Sequence, residues 1–155
     1  MQNTIGINQV KADELVTQLN DLLANYQLYY QNLRAFHWNI TGPSFFELHV
    51  KFEELYDAAN ASIDEIAERI LTLEGQPLHT FSDYLNASKI KEAKGLSTAK
   101  ETVATVIDNL GTLIALEREI LKSAAEADDE GTVSMVSDYI KEQEKEVWML
   151  RSYVG

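Results

Sequence analysis

The sequence predicts an all-α fold: a bundle of four long helices, with a crossover connection carrying a short helix between helices two and three. Three observations predict it. Apolar residues recur at three- and four-residue steps through four long segments, the pattern of a helix that buries one face. The breaks after the first and third segments are short, whereas residues 75 to 97 form a connection too long for a simple turn. Two parallel bundle helices need such a crossover, and antiparallel neighbours need only a few residues. Finally, 155 residues with an apolar share of 45% suffice for one packed domain.

Residues 1–10 form a polar N-terminal tail without a charged side chain. The first helix is predicted from about Lys11, with Leu15, Leu19, Leu22, Tyr26, Tyr29, Leu33, Phe36 and Ile40 as its buried face. Gly42-Pro43 ends it. Ser44 is the expected N-cap of the second helix, with Glu47 completing a capping box. That helix buries Phe45, Leu48, Phe52, Leu55, Ala59, Ile63, Ile66, Ile70 and Leu73, and Gly75 is its expected stop. Ser82 to Leu85 suggest the short helix of the crossover. Ser97 opens the third long helix, with Glu101 in its first turn and Val103, Val106, Ile107, Leu110, Leu113, Ile114, Leu116, Ile120 and Leu121 facing inward. Ala127 to Gly131 form an acidic break, and the fourth helix carries Val133, Val136, Ile140, Val147 and Leu150.

The net charge of −12 attracts cations and repels nucleic acid and anionic membranes. The chain has no cysteine, which excludes disulfides and thiolate metal sites and fits a cytoplasmic location. No basic segment followed by an apolar run marks a signal peptide, and no apolar stretch is long enough to span a membrane.

The chemistry-bearing pattern lies between His37 and Glu68. His49 and Glu53 are four residues apart, as are Asp64 and Glu68, so each pair shares a helix face. Glu53 and Asp64 differ by only about 20° around the axis, which puts all four groups on one stripe. The pairs are nevertheless separated by roughly 16 Å along the helix, and metal–ligand bonds are near 2 Å. Each pair is therefore half of a site. One arrangement that completes it is a second copy of the helix, antiparallel across a two-fold axis, giving two equivalent sites roughly 22 Å apart. His37, just before the Gly42-Pro43 break, is a further nitrogen donor from the preceding helix. Nitrogen with carboxylate donors suits Fe, Mn or Zn.

The residues H-W-N-I-T-G-P-S-F from His37, followed by L-H-V-K-F-E and I-D-E-I-A-E-R, resemble the Dps family of miniferritins. The resemblance extends over nearly the whole chain, including Gly75, Pro77, Thr80 and Tyr84-Leu85 in the crossover and Trp148 near the end. It implies a ferritin-like four-helix bundle and a homo-oligomer of twelve subunits. It also implies a ferroxidase site at the subunit dyad, holding two iron ions, with His37, His49 and Glu53 from one subunit and Asp64 and Glu68 from its partner. The implied activity is oxidation of Fe(II), by hydrogen peroxide more than dioxygen. Fe(III) is then mineralised inside the shell, which amounts to iron storage and protection against oxidative stress. Many members have Asp where this chain has Glu53. The resemblance also marks Asp128, Asp129 and Glu130 as candidates for a metal-entry pore, and Trp38 as a candidate electron donor beside the metal; Trp38 otherwise reads as an interface residue.

Other chemistry finds no support. No Glu-x-x-His motif projects a conventional intrasubunit di-iron site into the bundle. His79 in the crossover reads as an exposed loop residue. No nucleophile–base arrangement and no Gly-rich phosphate loop is present. A DNA-condensing function, which some members of the resembled family perform with basic tails, is disfavoured by the acidic charge and the uncharged residues 1–10.

Overall fold

In the computed structural model, which describes residues 1–155, five helices follow one another and no strand forms. They are α1 (Gln9–Asn39), α2 (Phe45–Thr72), α3 (Phe81–Ala87), α4 (Ala99–Glu126) and α5 (Glu130–Val154). α1 packs on α2 and α4 on α5, and α1 also packs on α4 and on the short α3. The crossover therefore runs where its length predicts, carrying α3 from the end of α2 to the start of α4.

The predicted apolar faces pack inward. All eight residues named for α1 are buried. On α2, Leu48, Phe52, Leu55, Ala59, Ile66, Ile70 and Leu73 are buried, while Phe45 and Ile63 lie at the margin of the core.

The ends of the helices depart from expectation in instructive ways. α1 begins at Gln9 because the Asn8 side chain accepts the Lys11 amide at 3.1 Å. The residues before it are no loose tail. Asn3 Oδ1 accepts the amide of Ile7 at 2.9 Å, Ile7 is buried, and the Thr4 amide donates to the Glu74 carboxylate at 3.1 Å. Ser44 stands at the start of α2 but makes no side-chain cap bond, so the capping box with Glu47 does not form. Glu74, not Gly75, is the left-handed residue that closes α2, at φ 68. Gly75 is required for a different reason: a Cβ there would meet the Val16 side chain at 2.5 Å. α4 is capped by Thr98 rather than Ser97, with the Thr98 hydroxyl accepting the Glu101 amide at 3.2 Å. Only Ala127 to Asp129 separate α4 from α5, shorter than the break predicted.

Three asparagines of α1 pin the crossover. Asn20 holds the amide of Leu78 at 2.8 Å and the carbonyl of Gln76 at 3.0 Å. The Oδ1 of fully buried Asn25 accepts the amides of Lys89 and Ile90, both at 3.0 Å, and the Ser88 hydroxyl at 3.2 Å. Asn32 accepts the Ala93 amide at 3.0 Å and donates to Lys91 carbonyl at 3.0 Å and to Asn109 of α4 at 3.1 Å. Side-chain amides thus supply the partners that a helix or sheet would otherwise give to this connection. Asn25→Ala leaves the Lys89 and Ile90 amides without an acceptor, while the Ser88 hydroxyl keeps the Ile90 carbonyl. It is expected to destabilise the subunit by on the order of 2–4 kcal/mol, read as a lowered denaturant midpoint at unchanged slope.

Candidate metal centre

The turn at Gly42, held at φ 105, reverses the chain so that the last turns of α1 lie beside the first turns of α2. His37 and His49 meet across that junction in a reciprocal arrangement. Nδ1 of His37 bonds the main-chain carbonyl of His49 at 2.6 Å, and Nδ1 of His49 bonds the carbonyl of His37 at 2.7 Å. A carbonyl only accepts, so each Nδ1 carries the hydrogen and donates it. Each Nε2 is left with a free lone pair, the form that ligates metal.

The rings are also held by stacking. Their centroids lie 3.8 Å apart at 12° between planes, and Phe45 stacks on His49 at 4.9 Å. Tyr56 meets the His37 ring edge-on at 5.4 Å. Glu53, one turn beyond His49, places Oε2 at 3.8 Å from His37 Nε2. That is too long for a hydrogen bond. It leaves place for a cation bonded to both, since each bond is about 2 Å.

The second half of the candidate set lies further along α2. Asp64 and Glu68 are both exposed. A hydrogen bond to Asp64, with the charge of that neighbour, raises the Glu68 carboxyl above its ordinary value. Two carboxyl groups facing one another this way repel when both are ionised, and a cation between them relieves that repulsion. No group of three or more His, Asp or Glu side chains within the chain is close enough to hold a metal ion. The structure thus brings His37 to His49 and to Glu53, and Asp64 to Glu68, without joining the two sets.

The other candidates are placed less simply. Asp129 is 2% exposed and fully engaged: it accepts the Thr132 amide at 3.1 Å and the Thr132 hydroxyl, and pairs with Arg69 at 2.5 Å. It caps α5 and is no free pore carboxylate, so a pore reading rests on the exposed Asp128 and Glu130 alone. The Asp-x-x-Thr spacing at a helix start is the signal that foretells this role. Trp38 is 56% exposed, and the Arg34 guanidinium lies 4.8 Å from its ring. A cation over the ring opposes loss of an electron from it, which weighs against the electron-donor reading. His79 is exposed, its Nδ1 bonding the Pro77 carbonyl at 3.0 Å. Phe45, which stacks on His49, reads from sequence only as a helix-face residue.

A bundle of four long helices with one long crossover connection has the ferritin-like topology, and comparison with known proteins agrees. The profile described as "Ferritin-like domain" matches residues 16–155. The "DNA protection during starvation protein" of Porphyromonas gingivalis is 45% identical over 96% of this chain and 93% of its own. An uncharacterised protein of Haemophilus influenzae is 50% identical over 97% of this chain and 94% of its own. The crystal structure of the Dps protein of Vibrio cholerae, described as one of the ferritin-like diiron-carboxylate proteins, superposes with a TM-score of 0.98. It shares 47% identity and covers 99% of this chain and 97% of that one. The chain belongs to the Dps miniferritin family.

The tautomer assignment has a direct spectroscopic consequence. In metal-free protein at about pH 8, solid-state ¹⁵N spectra are expected to show His37 and His49 protonated at Nδ1, whereas free imidazole side chains favour the other nitrogen. A hydrogen on Nε2 of either ring would contradict the reading.

Proposed function

We propose that this protein is a ferroxidase that stores iron as Fe(III) mineral inside a dodecameric shell. Iron is the substrate. Two Fe(II) ions at a dyad site give one electron each to hydrogen peroxide, which takes up two protons and leaves as two waters. His37, His49 and Glu53 of one subunit and Asp64 and Glu68 of its neighbour hold the ions. The neutral imidazoles suit Fe(II) on entry, and the carboxylates favour the harder Fe(III) product. The observation that carries the reading is the reciprocally bonded histidine pair. It orients two lone pairs where only one carboxylate of the same chain can join them, so the donor set calls for a second copy.

Other features support the reading. The charge of −12 draws cations to the shell, and the exposed Asp128 and Glu130 are the carboxylates we assign to an entry channel. Trp38, Phe46 and Val50 expose apolar surface beside the histidine pair, where the neighbouring subunit would cover it. Glu53 has one more methylene than the aspartate common in the family. It still reaches the His37 ring, and we expect the second iron position to be the weaker. A role in condensing DNA, although a relative bears that kind of name, is disfavoured. Residues 1–10 carry no Lys or Arg and are folded onto the body of the subunit, and phosphate binding depends on such cations. No helix is long and apolar enough to cross a membrane.

Mixed shells test the shared site. One variant lacks His49 and Glu53, and another lacks Asp64 and Glu68, so neither alone has a complete site. Co-expressed in equal amounts, they pair at random and about half of the dyads are mixed. In each mixed dyad one site combines both intact halves, so about a quarter of all sites are expected to recover Fe(II) oxidation by peroxide. Mixed shells, verified by tagged-subunit pull-down, that oxidise no more iron than either variant alone would refute the shared site.

A further inference from the structure

The interior of the bundle holds an acid that the metal centre does not use. Glu117 of α4 is 0% exposed. Its Oε2 accepts the hydroxyl of Tyr26 on α1 at 2.9 Å, and the side-chain amide of Gln143 on α5 donates to that same Tyr26 oxygen. The Oε1 of Glu117 has no partner, nor does the Oε1 of Gln143, and both are shut off from water. Tyr26, Tyr139 and Gln143 also line a cleft of about 290 Å³ between α2 and α5, with Tyr29, Ser62 and Glu146.

No cation is bonded to Glu117. On its own helix, Arg118 is half-exposed and paired with Glu144 at 2.6 Å. On α2, Lys51 is paired with Glu146 of α5 at 2.9 Å, and Glu65 accepts the hydroxyl of Tyr139. Of the other titratable groups lining the cleft, Glu54 of α2 and Glu142 and Lys145 of α5 are exposed to solvent, and Tyr26 and Tyr29 of α1 are phenols deep in the core. A carboxylate in this place would carry a buried charge with one oxygen unpaired. A carboxylic acid carries none, and its hydrogen makes Oε1 a donor in a network where Gln143 Oε1 lacks one.

We infer that the folded subunit carries Glu117 as a neutral carboxylic acid, and that this proton locks the α1–α4–α5 core behind the α2–α5 cleft. Burial pushes the Glu117 carboxyl up to about 8, against the lowering effects of the Tyr26 hydroxyl, the nearby Gln143 amide and the Arg118 charge. The sign of the pH dependence follows. The unfolded chain gives up this proton near the usual carboxylate value of about 4.3. Between there and about 8 the folded state holds the extra proton. Stability from this group is therefore complete at low pH, falls as pH rises through the window, and is gone above it. The site lies apart from the metal ligands, so the inference stands whether or not the shell oxidises iron.

The test compares the assembled parent with Glu117→Gln, which mimics the neutral acid at every pH. The variant's melting temperature is expected to gain on the parent's as pH rises from about 5 to about 8, by on the order of 5–10 °C, and the difference then to level off. In infrared spectra at neutral pH, the parent is expected to show a protonated-carboxyl band that the variant lacks and that fades above about pH 8. Should Glu117→Gln fail to assemble, Tyr26→Phe decides: losing the phenol donor removes support for the carboxylate, so the band is expected to persist to higher pH. A pH-independent offset between parent and variant, absence of the band at neutral pH, or a band unmoved by Tyr26→Phe would each overturn the inference.

Discussion

Two hydrogen bonds between imidazoles and main-chain carbonyls organise the functional end of this bundle. His37 and His49 each hold the other's helix by its backbone, at 2.6 and 2.7 Å. The same pair of contacts does two things. It fastens the end of α1 to the start of α2, where Ser44 supplies no side-chain cap. It also commits one nitrogen of each ring to the scaffold, which fixes the other in direction and, in the neutral ring, leaves its lone pair free. In the proposed site, coordination by the neutral rings would then require no rotamer search. The proposed ferroxidase site depends on this local geometry, since stacked rings 3.8 Å apart would serve neighbouring ions only if neither can rotate away.

The acids of the chain fall into two populations. Asp129, Glu117 and Glu146 are withdrawn from solvent and matched to Arg69, Tyr26 and Lys51, and they hold helices together. Glu53, Asp64 and Glu68 share one exposed stripe, and Asp64 and Glu68 have only each other. Holding two carboxyl groups side by side is unfavourable without a proton or a cation between them. In the proposed site that cation is the incoming iron. In the structural acids a partner is already present: Arg69 and Lys51 as cations, and the Tyr26 phenol as a neutral donor.

Much of the bundle was legible because helical periodicity is a strong and redundant signal. The faces of α1 and α2 read off directly, and the crossover announced itself by length. The candidate donors also read directly, since spacing of four on one helix puts His49 beside Glu53 and Asp64 beside Glu68 wherever the helix lies. What stayed hidden depends on contacts between segments distant in sequence. Nothing near Asn25 or Asn32 says that their amides will serve residues about sixty positions away. Gly75 looks like a helix stop, yet it is small because Val16 passes close, while Glu74 adopts the left-handed turn itself. Asp129 resembles its acidic neighbours until Arg69 is placed against it. The reciprocal histidine bonds were the largest omission, because a register between two helices decides which carbonyl each ring meets.

The most direct measurement of the split centre is anomalous diffraction from crystals of the shell soaked in Zn(II), a redox-silent probe with the same donor preferences. The account expects metal bonded to Nε2 of His37 and His49 from one subunit and to Asp64 and Glu68 of a two-fold-related neighbour, repeated symmetrically at every dyad. Zinc held at this place by donors of a single chain, or no zinc between the two helices while other surface positions fill, would contradict it.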